Sequence, residues 1–338
     1  MKKRIIYDLF FVFFLFYIPG CVEIEEFENS PRGNFEALWK IIDEQYCFLD
    51  YKDVNWNDIY KSYSSRIDGR MSEESLFMVL DEMLQELKDG HVNLSTPFDL
   101  GRYWKWFEDY PSNFSYSLIE DNYLKYSYSI AGGIRYKILE DNIGYMYYGD
   151  FSSGIGETNL DYIIDRLALC DGIILDVRDN GGGLLSNSER LASRFVNEKT
   201  LVGYIRHKTG KGHNDFSEPY PRYIEPNGRL RYQKPVIVLT NRSCYSATND
   251  FVNSMKTCPN VTIMGDRTGG GSGLPFTFEI PNGWSVRFSA CPMYDAKMNH
   301  LEFGIDPDRH VNLLESDERR GIDTIIEAAR NLIKTKNY

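Results

Sequence analysis

Two short runs constrain the fold more than anything else in the chain. Gly172-Ile-Ile-Leu-Asp-Val177 and Pro235-Val-Ile-Val-Leu-Thr240 are almost uninterrupted in apolar residues. A strand with one wet face alternates apolar and polar residues, whereas a strand buried on both faces does not. These runs therefore predict central strands of a parallel sheet covered by helices on both sides. Each is followed by a turn signal and then by helical spacing, over residues 188–196 and 247–255. Residues 143–148 and 261–264 predict further strands and residues 160–169 a helix, so from about residue 134 the pattern is α/β. Residues 276–280 and 284–289 flank Pro281-Asn282-Gly283, a hairpin signal. Residues 322–333 close the chain as an amphipathic helix.

The first half reads differently. Residues 34–92 carry helical spacing, with Ser72 as a cap ahead of Glu73 and Glu74, and Gly90 as a stop. Residues 96–133 are aromatic and irregular, and too few for an inserted domain. The expected organisation is a helical N-terminal domain over 34–95, an irregular connection over 96–133 and an α/β domain over 134–338.

Residues 1–20 are a separate object. A basic start, Lys2-Lys3-Arg4, precedes fourteen largely apolar residues, too short to span a bilayer and of the length of a signal peptide. They end in Pro19-Gly20-Cys21, which resembles a bacterial lipoprotein processing site with Cys21 as the lipidated residue. Glu23, Glu25, Glu26 and Glu28 lie in an acidic tether over 21–33, similar to that of surface lipoproteins of the Bacteroides type. The expectation is a cell-envelope protein of the outer membrane, periplasmic or surface-exposed, anchored through Cys21. With 38 Lys+Arg against 49 Asp+Glu the chain carries a charge of −11 and no basic block, which argues against nucleic acid as a partner. Cys47, Cys170, Cys244, Cys258 and Cys291 form no C-x-x-C pair, which disfavours a zinc site or a disulfide framework.

Four constellations carry possible chemistry. Asp176-Val-Arg-Asp-Asn180-Gly181-Gly182-Gly183 joins a buried strand to a helix. It lacks the G-K-[ST] or G-x-G-x-x-G of a phosphate cradle, which leaves an oxyanion-binding turn or a simple tight turn. Ser243 and Ser246 open the helix at 247; either suits an N-cap, and Ser246 also suits a nucleophile with the Ala247 N–H as an oxyanion donor. His91 follows a helix end, suited to a general base or to a structural role. Glu302-Phe-Gly304-Ile-Asp-Pro307-Asp308 is a turn that would either aim Glu302 inward, to orient an imidazole, or simply lie on the surface.

The order of these motifs is more specific than any one of them. Asp89-Gly90-His91, the glycine turn at 181–183, Ser246-Ala247-Thr248, Gly265-Asp-x-Thr268-Gly-Gly-Gly271 and Glu302-x-Gly-Ile-x-Pro-Asp308 together resemble peptidase family S41, the C-terminal processing and tricorn-type serine proteases. The resemblance covers residues 34–335. It implies a ClpP/crotonase-like core preceded by a small helical domain, acting on a peptide or protein substrate with no metal or cofactor. One branch uses a lysine about twenty-five residues after the serine. Here that count lands on Gly271, and no lysine lies between Lys256 and Lys297. The tricorn-like branch implies Ser246 as nucleophile, His91 as base, Glu302 as the residue orienting it, and Ala247, Gly182 and Gly183 lining the oxyanion hole. Where the tricorn pattern has a serine before its histidine, this chain has Gly90. A non-catalytic lipoprotein binding peptides or hydrophobic ligands in the same cleft is the alternative expectation. The sequence leaves oligomeric state open.

Overall fold

The computed structural model describes residues 26–336, so residues 1–20, Cys21 and the start of the acidic tether lie outside the described residues. Three helices come first, α1 (Pro31–Gln45), α2 (Trp56–Ser64) and α3 (Glu73–Gln85). Each begins at a side-chain cap: Ser30, Asn55 and Ser72 accept from the backbone N–H groups of Gly33, Asp58 and Ser75. After α3 the chain turns at Lys88, whose φ is +47°, rather than at Gly90.

The segment without a sequence assignment folds into β1 (Asn93–Ser95), β2 (Leu100–Arg102), two single-turn helices α4 (Lys105–Glu108) and α5 (Tyr116–Ile119), and β3 (Ser129–Ala131). The α/β pattern follows as β4 (Ile134–Ile138), β5 (Ile143–Tyr147), α6 (Glu157–Leu167), β6 (Gly172–Asp176) and α7 (Leu185–Ala192). An antiparallel pair, β7 (Thr200–Ile205) and β8 (Tyr220–Ile224), precedes β9 (Val236–Thr240) and α8 (Ala247–Met255). The chain finishes with β10 (Val261–Gly265), the hairpin β11 (Gly273–Glu279) and β12 (Ser285–Asp295), β13 (Arg309–His310), α9 (Glu315–Glu318) and α10 (Thr324–Lys336).

One sheet runs β13-β10-β9-β6-β5-β4-β3 and is parallel from β13 to β5. The two apolar runs are its central neighbours β6 and β9, with Ile173 opposite Val236 and Leu175 opposite Val238. Their alternate residues serve opposite faces. Ile173, Leu175, Val236 and Val238 pack with Leu160, Leu191 and Phe251 of α6, α7 and α8. Ile174, Ile237 and Leu239 pack with Ile325, Ile326 and Ala329 of α10. Burying such a side chain contributes about 1.5–3 kcal/mol, which is why neither face tolerates the polar residues of an ordinary alternating strand.

The second sheet runs β2-β1-β12-β7-β8, with β11 also paired to β12. One face of β12, bearing Val286, Phe288 and Ala290, packs against Phe35, Leu38, Leu80 and Met83 of the N-terminal helices. These helices thus share their core with a strand from the far end of the chain. The five described cysteines are free and buried.

Candidate active site

Ser246 sits between β9 and α8 on a turn pinned from two sides. The Tyr245 N–H donates to the Asn180 carbonyl, and the Ser246 N–H to the Gly270 carbonyl at 2.9 Å. The result is a backbone at φ +57°, ψ −121°, a region that non-glycine residues rarely occupy and that costs about 1–3 kcal/mol. The turn lifts the hydroxyl away from the capping position, and no side-chain cap bond forms at α8. Ser246 thus occupies the N-cap position of α8, with its carbonyl accepting the Asp250 N–H, but its hydroxyl does not do the capping.

His91 is held by the carboxylate two residues before it. Asp89 Oδ1 accepts the His91 backbone N–H at 2.8 Å, while Oδ2 accepts the Tyr46 and Ser289 hydroxyls, each at 2.9 Å. Asp89 is buried and Lys52 Nζ lies 3.5 Å from it. Burial raises its pKa, but Lys52, the His91 ring and amide, and Tyr46 bring it down to about 2. Fixed this way, His91 Nε2 lies 2.9 Å from Ser246 Oγ, 155 residues away in sequence. Burial, helped by the Arg287 and Lys52 cations and opposed by Asp89 and the Gly273 main chain, lowers the imidazole to a pKa of about 4. At neutral pH the ring is uncharged and able to accept a proton.

Glu302 is buried as the sequence suggested, but it does not touch the imidazole. Its Oε1 pairs with Lys52 Nζ at 2.7 Å and its Oε2 accepts the Ser272 N–H at 2.9 Å. His91 Nδ1 is buried and no carboxylate reaches it. The expected direct orientation of His91 by Glu302 is therefore corrected: Lys52 intercepts the carboxylate, and Asp89 positions the histidine through its backbone. Burial and Asp89 raise Glu302 to about 7 against the pull of Lys52 and the Ser272 N–H. Burial alone would lower Lys52, but Asp89 and Glu302 outweigh it and hold the ammonium above its usual range.

Glycine is required before His91 for a steric reason. A Cβ at Gly90 would lie 2.5 Å from Trp106 Nε1. Trp106 stacks on Tyr245 at 4.0 Å between centroids, and Tyr245 meets the His91 ring edge-on at 4.9 Å. The volume that a serine would use is filled by indole. Gly271 is likewise closed to a side chain, since its Cβ would fall 2.3 Å from the Tyr245 ring.

The glycine turn is anchored by Arg178, which is buried with Asp176 at 2.6 Å and Asp323 at 3.0 Å. Asn180 then ties this turn to the serine turn: its Oδ1 accepts from the Gly182 N–H at 3.0 Å and from the Thr248 hydroxyl at 2.6 Å. The Gly182 N–H is therefore occupied, so if Gly182 lines an oxyanion hole it does so without donating. Gly182 supplies clearance instead: at φ +105° its Cβ would lie 2.8 Å from Ser246 Cβ. The N–H groups of Gly183 and Ala247 have no acceptor among the described residues and flank Ser246 in the same cleft. That cleft encloses about 300 Å³.

The sequence reading missed Lys52, Trp106 and Arg287, and it gave Asn180 no role of its own within the glycine turn. Arg287 alone had a local signal: Trp284, Val286 and Phe288 alternate toward the core, which turns Ser285 and Arg287 to the opposite face.

Residues 142–311 match the model of peptidase family S41, and residues 27–85 that of the tricorn protease C1 domain. A crystal structure of a protein from Parabacteroides merdae described as a peptidase is 58% identical, covers 90% of this chain and 97% of its own, and superposes with a TM-score of 0.87. The carboxyl-terminal-processing protease of a Synechocystis species is 27% identical over 143 residues, 42% of this chain and 31% of that protein. The tricorn protease structure shares the fold at 16% identity and a TM-score of 0.58, over 91% of this chain and 37% of that one. The chain spans less than half the length of the first curated relatives it matches.

Proposed function

This chain belongs to peptidase family S41, and on that premise we propose that it is a serine endopeptidase acting through an acyl-enzyme on Ser246. The observation that carries the reading is the 2.9 Å contact between Ser246 Oγ and His91 Nε2, made by a serine whose backbone is held at φ +57°. A cleft-facing hydroxyl paired to an uncharged imidazole is what nucleophilic activation requires, and the strained turn is what holds it there. Ser246 Oγ attacks the peptide carbonyl while His91 takes its proton. The carbonyl oxygen gathers negative charge beside the Gly183 and Ala247 N–H groups and the N-terminus of α8. His91 returns the proton to the leaving amine, and a water activated by the same ring frees the acyl group. Asp89, Tyr46 and Lys52 hold the histidine in place, and Glu302 steadies the 271–273 segment through the Ser272 N–H.

A serine-directed fluorophosphonate tests this. Wild-type protein is expected to be labelled and Ser246→Ala to stay unlabelled; a folded wild type that resists the reagent refutes it and leaves the cleft as a binding site for peptides or apolar ligands. The protein further reads as a lipid-anchored envelope protein, on the signal-like residues 1–20 and Cys21. Membrane fractionation of Cys21→Ala checks that point: the variant should move to the soluble fraction, and retention in the membrane refutes the anchor.

A further inference from the structure

Three titratable side chains, His91, Asp250 and Arg287, line the cleft beside Ser246, and two of them are electrically silent. His91 is uncharged at neutral pH. Asp250 is gripped by Arg222 through two bonds of 2.6 and 2.9 Å. Arg287 is different. It is half-buried, and its guanidinium makes one long hydrogen bond, 3.4 Å from Nη1 to Asn93 Oδ1. No carboxylate among the described residues forms an ion pair with it. The strands place a second cation close by. Asn93 of β1 stands opposite Arg287 of β12 on one side and Arg102 of β2 on the other, and Arg102 also lacks an ion-pair partner among the described residues. An acidic chain of charge −11 thus leaves Arg287 in the cleft wall without a carboxylate partner, and Arg102, two strands away, rests over the Trp104 ring at 5.2 Å.

Apart from Asn249 and Ser272 the rest of the cleft is apolar, with Leu184, Leu185, Leu274, Pro275, Met293 and Leu301 in its walls. An unpaired guanidinium against such walls is poorly screened, and it presents a planar fork that matches a carboxylate. We propose that Arg287, backed by Asn93 and Arg102, selects substrates that bring a carboxylate into the cleft, carried either by the C-terminus of a peptide or by an Asp or Glu side chain near the scissile bond. This deepens the peptidase reading and rests on it only for the cut itself; the charge preference is a property of binding.

The test uses full-length Ser246→Ala protein and one labelled apolar hexapeptide with a single Glu, prepared with a free or an amidated C-terminus and with that Glu or Gln, read by fluorescence anisotropy. The carboxylate-bearing forms are expected to bind at least about tenfold more tightly than the form lacking both carboxylates, with a preference that shrinks as salt rises. Loss on amidation assigns the C-terminal source, and loss on Glu-to-Gln exchange assigns the side-chain source. In the Ser246→Ala, Arg287→Gln protein the ratio should fall below about twofold, and Arg287→Lys should restore part of it; a ratio is insensitive to a uniform loss of folded protein. Equal binding of all four peptides, no binding, or a preference that survives Arg287→Gln overturns the proposal. Failure of the peptidase reading would show separately, as an unlabelled wild type that still discriminates by charge.

Discussion

Replacing Ser246 by glycine and by alanine separates the strain at this residue from its chemistry. Both changes remove the hydroxyl and its bond to His91, a common loss of about 1 kcal/mol. They differ in what the backbone at φ +57°, ψ −121° then costs. Alanine retains a strain of about 1–3 kcal/mol, and glycine does not. Glycine loses about 0.5–1 kcal/mol more than alanine through the freedom of the unfolded chain. The difference leaves Ser246→Gly more stable than Ser246→Ala by up to about 2.5 kcal/mol. At an unstrained site the order would reverse. Equilibrium urea unfolding of the two variants, neither of which should react with fluorophosphonate, reads the sign directly. If Ser246→Gly unfolds at lower urea than Ser246→Ala, the turn is not strained and the argument from Ser246 geometry to nucleophile fails.

Three further outcomes follow from the same geometry. Gly182→Ala places a Cβ 2.8 Å from Ser246 Cβ, so fluorophosphonate labelling should slow at least about 100-fold while circular dichroism reports a folded chain. Lys52→Met leaves Asp89 and Glu302 facing each other in the interior and should lower stability by about 3 kcal/mol in urea unfolding; a loss under 1 kcal/mol would refute the buried network. His91 must be neutral to act, so the labelling rate should fall as pH drops through about 4, and Arg287→Gln should move that limb upward by removing a cation. The same shift has a stability sign. With a folded pKa near 4 against an ordinary 6.5, the unfolded chain binds the extra proton between those values, and the stability that neutral His91 contributes is lost as pH falls through that window.

How much of this was legible in the sequence depends on whether the cause was local. β6 and β9 were, because burial on both faces leaves an unbroken apolar run; α8 over Ala247–Met255 was, because its spacing and its turn agree. The adjacency of Ser246 and His91 came from the order of motifs rather than from either residue. β7 and β8 escaped because their partly exposed residues give no clean alternation and Pro221 reads as a breaker. α7 begins at Leu185 and not at 188, since the glycine turn delivers the chain directly into helix. Glu302 turned inward as its Gly and Pro suggested, yet its partner could not be read. Lys52, in a stretch of aromatic and acidic residues, looks like a surface lysine until folding brings Asp89 and Glu302 against it from 37 and 250 positions away. The role of Gly90 was hidden for the same reason, because Trp106 fills its space from another element.

The shared core of the N-terminal helices and β12 has a consequence in time. Asp89 is held by Ser289, 200 residues later, and His91 meets a serine 155 residues later. At about 5–20 residues per second of synthesis, the histidine emerges roughly 8–30 s before the hydroxyl it serves. The strand that completes its packing comes later still. A half-made chain therefore carries each reactive part without the means to use it, and reactivity begins only when the last strands have been delivered and the two ends of the polypeptide close on one another.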